Sequence, residues 1–238
     1  YYQKARLLTN PDDFEDARKN FETAIDIDPD FIDAHYYMGK LLTGGVATAK
    51  DGSIVDRTDL ELAKENFLQV LEIDSSHAKA LYNLARILLE EGNLKEAKSR
   101  LFKALDIDSK YSKAHYLLGN VLCELSDPAK AKEHYASSIE HYQENPPAYY
   151  RLGKLLAEEG DATGAEDNLR KAVTLDPGHS EAHYHLALLL AELDDPGPAK
   201  KHFFMALEIN PEFALAYYHL AHHLERHGDL NEAKIHFQ

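Results

Sequence analysis

The chain has 238 residues, of which 44% are hydrophobic and 28% charged, a balance typical of a folded protein rather than a disordered one. Its formal net charge of −15 argues against nucleic-acid binding and against attraction to an anionic membrane, since both need a basic surface. The single cysteine, Cys123, excludes an internal disulfide framework and favours an intracellular, cytoplasmic location. No apolar run approaches the length of about 18 residues that predicts membrane insertion, and no signal peptide is visible.

The sequence repeats itself every 34 residues, most clearly at 180–213. The first half of that copy predicts an amphipathic helix, because its apolar residues recur at i, i+4, i+8 and i+11. Asp195 and Pro196 then supply the chemistry of a new helix start, and Asn210-Pro211 ends the second helix. One helix pair alone could not bury its apolar faces, so neighbouring copies are expected to stack.

Counting in both directions from this copy divides the whole chain into repeats. They are an incomplete first repeat at 1–31, a long second repeat at 32–77, then 78–111, 112–145, 146–179 and 180–213, and an incomplete last repeat at 214–238. Position 8 of each repeat is Gly or Ala, position 11 is Leu, position 20 is Ala, and position 24 is Phe, Leu or Tyr. Small residues let the two helices of a repeat approach closely, and we expect the large residues to fill the space between repeats.

This pattern resembles the tetratricopeptide repeat family, whose signature is a small residue at position 8, alanine at 20 and 27, and proline near 32. Two departures are visible: proline stands at position 32 only as Pro29, Pro177 and Pro211, and the usual tryptophan at position 4 is absent. Histidine takes that place at His35, His115 and His183, where we interpret it as a packing substitute. The resemblance covers the entire chain. It implies an all-α fold, an α-solenoid with a right-handed superhelix of about seven helix-turn-helix repeats, in a single domain at 1–238.

The second repeat is 12 residues longer than the others, with the excess at about 44–58. Gly44-Gly45 and Asp51-Gly52 are helix-breaking pairs, so we expect a loop between the two helices of that repeat. Such a loop is either a tolerated surface insertion or a contact loop that grips a partner. The chain also begins and stops inside a repeat, which leads us to expect an excerpt of a longer array or ends that pair with other copies.

In the family that the chain resembles, positions 2, 5, 6, 9, 12 and 13 line a concave groove that binds peptides or partner helices. Position 5 is tyrosine in every repeat, which suits a peptide-binding surface because tyrosine combines a large apolar ring with a polar tip. Tyrosine is also common there for packing between adjacent first helices. The tyrosines beyond the first repeat are Tyr36, Tyr82, Tyr116, Tyr150, Tyr184 and Tyr218.

Basic and polar side chains accompany these tyrosines and predict an inner strip of opposite charge to the rest of the protein. They are Lys40, Lys79, Asn83, Arg86, Lys113, Asn120, Arg151, Lys154 and His222. An alternative is that glutamates one turn further on neutralise the strip through i,i+4 pairs, such as Arg86–Glu90. The two-carboxylate clamp and the asparagine ladder of some family members are not present.

No cofactor or metal site is predicted. His219 and His223 share one helix face, as zinc ligands do, but no third ligand is set by their spacing, so surface or packing histidines are the preferred interpretation. No phosphate-binding glycine loop, nucleophile elbow or calcium loop occurs, so the chain is not expected to be an enzyme.

Two functions from different classes follow. The favoured one is an interaction scaffold that binds a peptide or helical segment of a partner protein, with an acidic segment as the charge-complementary choice. The alternative is structural self-assembly, in which copies stack end to end into a filament or oligomer. A third possibility is that the chain is the non-catalytic arm of a larger enzyme.

Overall fold

A computed structural model describes residues 14–44, 57–193 and 195–228, with the side chain of Arg57 left out. All regular elements in these ranges are α-helices, as predicted. In chain order they are α1 (Phe14–Ile27), α2 (Ile32–Gly44), α3 (Arg57–Ile73), α4 (Ala78–Glu90), α5 (Leu94–Ile107), α6 (Ser112–Glu124), α7 (Pro128–His141), α8 (Pro146–Glu158), α9 (Ala162–Leu175), α10 (Ser180–Glu192), α11 (Pro196–Ile209) and α12 (Ala214–Arg226).

The chain divides into two compact units, an N-terminal unit at Tyr1–Asp127 and a C-terminal unit at Pro128–Gln238. Within each unit, consecutive helices pack against each other, so the second, third, fifth and sixth repeats are helix hairpins laid against neighbouring helices of the same unit. Helices α2, α4, α6, α8, α10 and α12 are the first helices of their repeats, and α1, α3, α5, α7, α9 and α11 are the second helices. The single domain at 1–238 and the right-handed superhelix stay predictions.

Each hairpin is closed where the large residue at position 24 meets the small residue at position 8 of the same repeat. A Cβ atom added to Gly39 would lie 2.8 Å from Cζ of Phe67, and one added to Gly153 would lie 2.9 Å from Cγ of Leu169. Phe67 and Leu169 are fully buried, as is the alanine at position 20 in both repeats. Burial of one such large side chain stabilises the fold by about 1.5–3 kcal/mol. The core predicted from the repeat pattern is therefore confirmed.

The histidines at position 4 hold the junction between successive repeats. His35 donates from Nε2 to the carbonyl oxygen of Pro29 at 2.9 Å, and His183 donates from Nε2 to that of Pro177 at 3.2 Å. His115 makes the same contact with Ser109, at 3.0 Å. The ring nitrogen is the donor in each case because a carbonyl oxygen only accepts. Both His35 and His183 are buried, so these histidines pack as predicted and also bond the preceding repeat.

The ends of the predicted insertion belong to helices rather than to a loop. Gly44 is the last residue of α2, and α3 begins at Arg57 and runs for 17 residues. The second helices α1 and α5 have 14 residues each, so part of the extra length of this repeat extends α3. The rest of the insertion, 45–56, lies outside the described residues. No helix among the described residues combines the length and apolar character needed to span a membrane.

A left-handed residue at position 15 makes the tight turn after the first helix. Gly92 and Gly160 take this conformation, with φ of 74° and 84°, and Ser126 takes it in the fourth repeat with φ of 59°. Ser126 donates from its backbone N–H to the carbonyl of Cys123 at 3.0 Å, as Gly92 does to Leu89. A side chain makes this conformation unfavourable, whereas glycine adopts it without steric cost.

We expect Ser126→Gly to raise the free energy of unfolding by about 0.5–1 kcal/mol, because it removes the Cβ atom from a left-handed backbone. The matched control is Ser99→Gly, an exposed position inside α5. That variant should lose about 0.5 kcal/mol of helix propensity. Urea unfolding of both variants measures the difference, and an equal loss of stability in the two would contradict the strain at Ser126.

Candidate functional site

The predicted binding residues all lie on the first helices, and the structure places their side chains at different depths. Those exposed to solvent are Lys40, Lys79, Lys113, Arg151, Tyr218 and His222. Those half-buried are Tyr82, Arg86, Tyr116, Asn120, Tyr150 and Lys154. Those buried are Tyr36, Asn83 and Tyr184. We name the surface that these residues form in each unit the first-helix face of that unit.

The position-5 tyrosines have a packing role that recurs along the chain. Each of four tyrosines places its ring against the residue at position 34, just before the next first helix begins. The ring centroids are 4.9 Å apart for Tyr36 and His77, 5.2 Å for Tyr82 and Tyr111, 4.7 Å for Tyr150 and His179, and 4.8 Å for Tyr184 and Phe213. The packing interpretation of the tyrosines is thus supported, and the rings of Tyr82 and Tyr150 remain half-buried rather than fully enclosed.

The N-terminal unit collects tyrosine hydroxyls around one arginine, Arg86. Burial raises the pKa of Tyr82, and the Arg86 guanidinium opposes that shift, so the two groups are close. Burial also raises the pKa of Tyr111, with Tyr82, Tyr36 and the Asp108 carboxylate adding to the shift and Arg86 again opposing it. Asn83 donates to the carbonyl of Lys79 at 2.8 Å, and its hydrogen bond to Tyr36 partly offsets the rise in the pKa of that phenol.

Tyr111 is a member of this cluster that the sequence analysis missed. It lies at position 34, outside the positions that the family uses for its groove, and it reaches the face through its stack on Tyr82. A signal was available, because position 34 is aromatic or histidine in most repeats: Phe31, His77, Tyr111, His179 and Phe213.

Arg86 has no carboxylate within ion-pair distance among the residues that the structure describes. The i,i+4 pair expected with Glu90 does not form. The equivalent pair in the C-terminal unit does form, since Nζ of Lys154 lies 3.9 Å from Oε1 of Glu158. The proposed neutralisation of the basic strip therefore holds at Lys154 and fails at Arg86.

Lysines extend the positive charge around Arg86. Nζ of Lys40 lies 5.9 Å from the ring centroid of Tyr36 and 5.4 Å from that of Tyr37, within cation–π range. Lys79 and Lys113 are exposed, and within the described part of the chain neither has a carboxylate within ion-pair distance. The first-helix face of the N-terminal unit is therefore basic and rich in phenol hydroxyls.

The first-helix face of the C-terminal unit is aromatic instead. His185 lies 5.7 Å from Tyr150 between ring centroids, and His219 lies 5.8 Å from Tyr184. Burial lowers the pKa of His185 to about 4, with the Lys154 ammonium adding to the shift, so this ring is neutral at pH 7. The two faces thus differ in composition although both carry the position-5 tyrosines, because the C-terminal face adds imidazole rings beside Arg151 and the Lys154–Glu158 pair.

The histidines of α12 do not form a metal site with their neighbours. In the described ranges, no group of three or more His, Cys, Asp or Glu side chains is arranged to hold a metal ion. His223 is buried, and its Nε2 donates to the carbonyl oxygen of Pro196 at 3.0 Å. This contact ties α12 to the start of α11, which agrees with a packing role.

We expect Tyr184→Ala to lower the free energy of unfolding by about 3 kcal/mol, because a buried ring stacked on Phe213 is lost. Tyr218→Ala is the matched variant at the same repeat position, where the side chain is 52% exposed, and should cost less than about 1 kcal/mol. Urea unfolding measures both. Equal losses of unfolding free energy in the two variants would show that burial does not distinguish packing tyrosines from surface tyrosines.

Comparison with known proteins agrees with this architecture. The tetratricopeptide repeat model TPR_19 matches residues 55–121, 88–155 and 156–204, and the TPR repeat model TPR_11 matches 12–43. No curated protein matches the chain closely enough to count as a relative.

Solved structures of the same architecture are numerous. YrrB, described as a TPR protein with an unusual peptide-binding site, is 26% identical, with a TM-score of 0.64 over 83% of this chain and 96% of its own. PilF of Pseudomonas aeruginosa is 23% identical, with a TM-score of 0.78 over 92% of this chain and 94% of its own. Cut9, from the APC/C hetero-tetramer Cut9–Hcn1, is 18% identical, with a TM-score of 0.70 over 90% of this chain and 40% of its own. The last two show the fold alone.

Tetratricopeptide repeats are in general non-catalytic modules for protein–protein interaction. The stacked helix hairpins, the repeat signature and the family models that together match most of the chain lead to one conclusion: the chain belongs to the tetratricopeptide repeat family, as an all-α solenoid that serves as an interaction scaffold.

Proposed function

We propose that the chain is an adaptor that binds an acidic segment of a partner protein on the first-helix face of its N-terminal unit. The observation that carries the proposal is Arg86, a half-buried guanidinium among tyrosine hydroxyls with no carboxylate of the described chain beside it. A buried or half-buried cation is most stable when an anion pairs with it, so an acidic group from a partner would complete the site.

The charge of the whole protein makes this face distinctive. The chain carries a formal net charge of −15, yet Lys40, Lys79, Arg86 and Lys113 place positive groups on one surface of one unit. A local positive surface on an acidic protein attracts acidic ligands to that surface. The remaining surface is negatively charged and disfavours their non-specific association. Selectivity and association rate would both gain from this arrangement.

The tyrosines supply the remaining recognition chemistry. Tyr82 and Tyr111 offer hydroxyls that can donate to carboxylates or to backbone carbonyls, and the contact between their rings restricts both side chains. Asn83 is buried, and its amide donates to the carbonyl of Lys79. A rigid aromatic surface binds an extended peptide or a helix with little loss of side-chain entropy.

The C-terminal face suits a different part of the same partner. Its aromatic and neutral imidazole rings favour apolar or aromatic side chains rather than carboxylates. YrrB, a TPR protein with an unusual peptide-binding site, supports peptide binding by this architecture. The single cysteine supports an intracellular location for the adaptor. Self-assembly and a non-catalytic arm of a larger enzyme are the alternatives, and chromatography of the same proteins tests the first of them.

We expect a phage-displayed library of random 12-residue peptides, selected on the wild-type protein, to yield sequences enriched in Asp and Glu. Arg86→Glu should abolish that enrichment, because the charge at the centre of the basic face is reversed. The measurement is deep sequencing of the selected pools at about 100 mM salt, where surface charges are only partly screened.

The matched control is Lys103→Glu, which reverses one exposed charge on α5, a second helix, and should leave the enrichment unchanged. Wild-type pools without acidic bias would contradict the proposal. If both variants lost the acidic enrichment, the overall charge of the protein rather than the Arg86 face would select the peptides. Size-exclusion chromatography of the same proteins over a wide concentration range tests self-assembly in parallel.

A further inference from the structure

Two histidines of the C-terminal unit contact each other directly between the helices of one hairpin. Nδ1 of His183, on α10, lies 2.9 Å from Nδ1 of His202, on α11. The rings are stacked, with centroids 5.2 Å apart and an angle of 26° between their planes. His183 is only 1% exposed, so this contact lies inside the hairpin rather than on its surface.

The positions of the protons on the two histidines follow from the groups that the rings contact. His183 also faces the carbonyl oxygen of Pro177 through Nε2, at 3.2 Å, and must carry a hydrogen there because a carbonyl only accepts. A neutral His183 ring then has a lone pair on Nδ1, which accepts a hydrogen bond from Nδ1–H of His202. The arrangement holds one proton between the two Nδ1 atoms.

A second proton on His183 would destroy this bond, whereas a second proton on His202 would enter at Nε2, leave the bond in place and put a charge where burial disfavours it. Protonation of His183 puts N–H groups on both Nδ1 atoms, so two donors face each other at hydrogen-bond distance. The surrounding charges do not compensate. Arg170 of α9 and Lys201 of α11 lower the pKa of His202, and His179 of the α9–α10 turn lowers the pKa of His183. Each of these groups therefore disfavours a positively charged ring.

One acidic group opposes this trend, because Asp176 of the same turn favours a charged His183. The carboxylate of Glu166 is already engaged by Arg170, at 2.7 Å. His179 accepts at Nδ1 from the backbone N–H of Ala182, at 3.3 Å, and Glu181 accepts from the hydroxyl of Ser180, at 3.0 Å. The balance of charge around the pair therefore favours two neutral rings.

We propose that the His183–His202 contact is a proton-sensitive switch that holds α10 to α11 at neutral pH and releases the sixth repeat when the solution is acidified. The switch lies in the C-terminal unit and does not depend on the acidic-segment site of the N-terminal unit. Because α10 also carries Tyr184 and His185, release of this hairpin changes the first-helix face of the C-terminal unit.

The direction of the pH effect follows from the titration of the two rings. Burial lowers the pKa of His202 from 6.5 to about 4, with His183 adding to the shift, and burial lowers the pKa of His183 as well. Between pH 6.5 and about 4 the two histidines therefore bind more protons in the unfolded chain than in the folded one. The stabilising contribution of the pair is complete above pH 6.5 and is lost as the pH falls through this window.

The second repeat supplies a natural control for the switch. There His35 occupies the place of His183, and its Nδ1 lies 3.0 Å from Oδ1 of Asn66, which occupies the place of His202. His35 makes the same contact to the preceding repeat, through Pro29. An asparagine amide fits this position and does not itself titrate, and it can turn either its oxygen or its N–H toward the ring, so His202→Asn removes the conflict between two donors and is the matched variant.

The test compares the wild-type chain with His202→Asn by urea unfolding and by hydrogen exchange with mass spectrometry, at pH 7.5, 6.5 and 5.0. From pH 6.5 to 5.0 the unfolding equilibrium constant of the wild type should rise about tenfold more than that of the variant. Peptides from α10 and α11 should lose exchange protection at pH 5.0 in the wild type, while those from α4 and α5 keep theirs. The other histidines are common to both proteins, so the difference isolates the pair.

Equal pH dependence in the two proteins would overturn the switch. If His202→Asn does not fold, ring NMR of the wild type decides instead. The His183 and His202 rings should titrate below the pH at which an exposed histidine titrates, with His183 as the Nε2–H tautomer and His202 as the Nδ1–H tautomer at pH 7.5. Titration of both rings near pH 6.5, or the opposite tautomers, would contradict the proposal.

Discussion

The close contact between the small residue at position 8 and the large residue at position 24 is the constraint on which the structure depends. Phe67 packs where a Cβ atom on Gly39 would stand, and Leu169 does the same at Gly153. This contact closes each hairpin and sets how far apart its two helices lie. The closed hairpin then presents its first helix on one side, so the position-5 tyrosines recur at equivalent places in successive repeats.

The binding surface and the core use different side-chain positions of the first helices. The rings of Tyr36, Tyr82, Tyr150 and Tyr184 pack against the residue at position 34 and stabilise the junction. Tyr82 and Tyr150 are half-buried, so the same residue packs the junction and stays partly accessible on the first-helix face. Charge at positions 2 and 9 is free to vary without disturbing the hairpin, which explains how two units of one fold carry faces as different as those around Arg86 and His185.

The sequence predicted the fold well because its information is periodic. Several positions can be interpreted within one repeat, namely alanine at position 20, the large residue at position 24 and Pro196 at a helix start. The first two are buried and α11 begins at Pro196, as these residues indicate. Contacts between residues far apart in the repeat were harder to predict. Tyr111 packs its ring against Tyr82 from the next repeat junction, and His202 is 19 positions from His183, so neither partner is visible from spacing alone. The pairing of Arg86 with Glu90 was the alternative suggested by i,i+4 spacing, but spacing permits such a pair without requiring it.

A double-mutant cycle between Arg86 and an acidic residue of a selected peptide tests the central claim most directly. Arg86→Gln and the Asp→Asn change in the peptide would be made singly and together, and the four affinities measured by isothermal titration calorimetry at one salt concentration. The account predicts a coupling energy above about 1 kcal/mol for one acidic residue of the peptide, since close charge pairs at interfaces show couplings of that size or more. A coupling energy near zero for every acidic residue of the peptide would contradict it, because Arg86 would then not contact the segment that the protein binds.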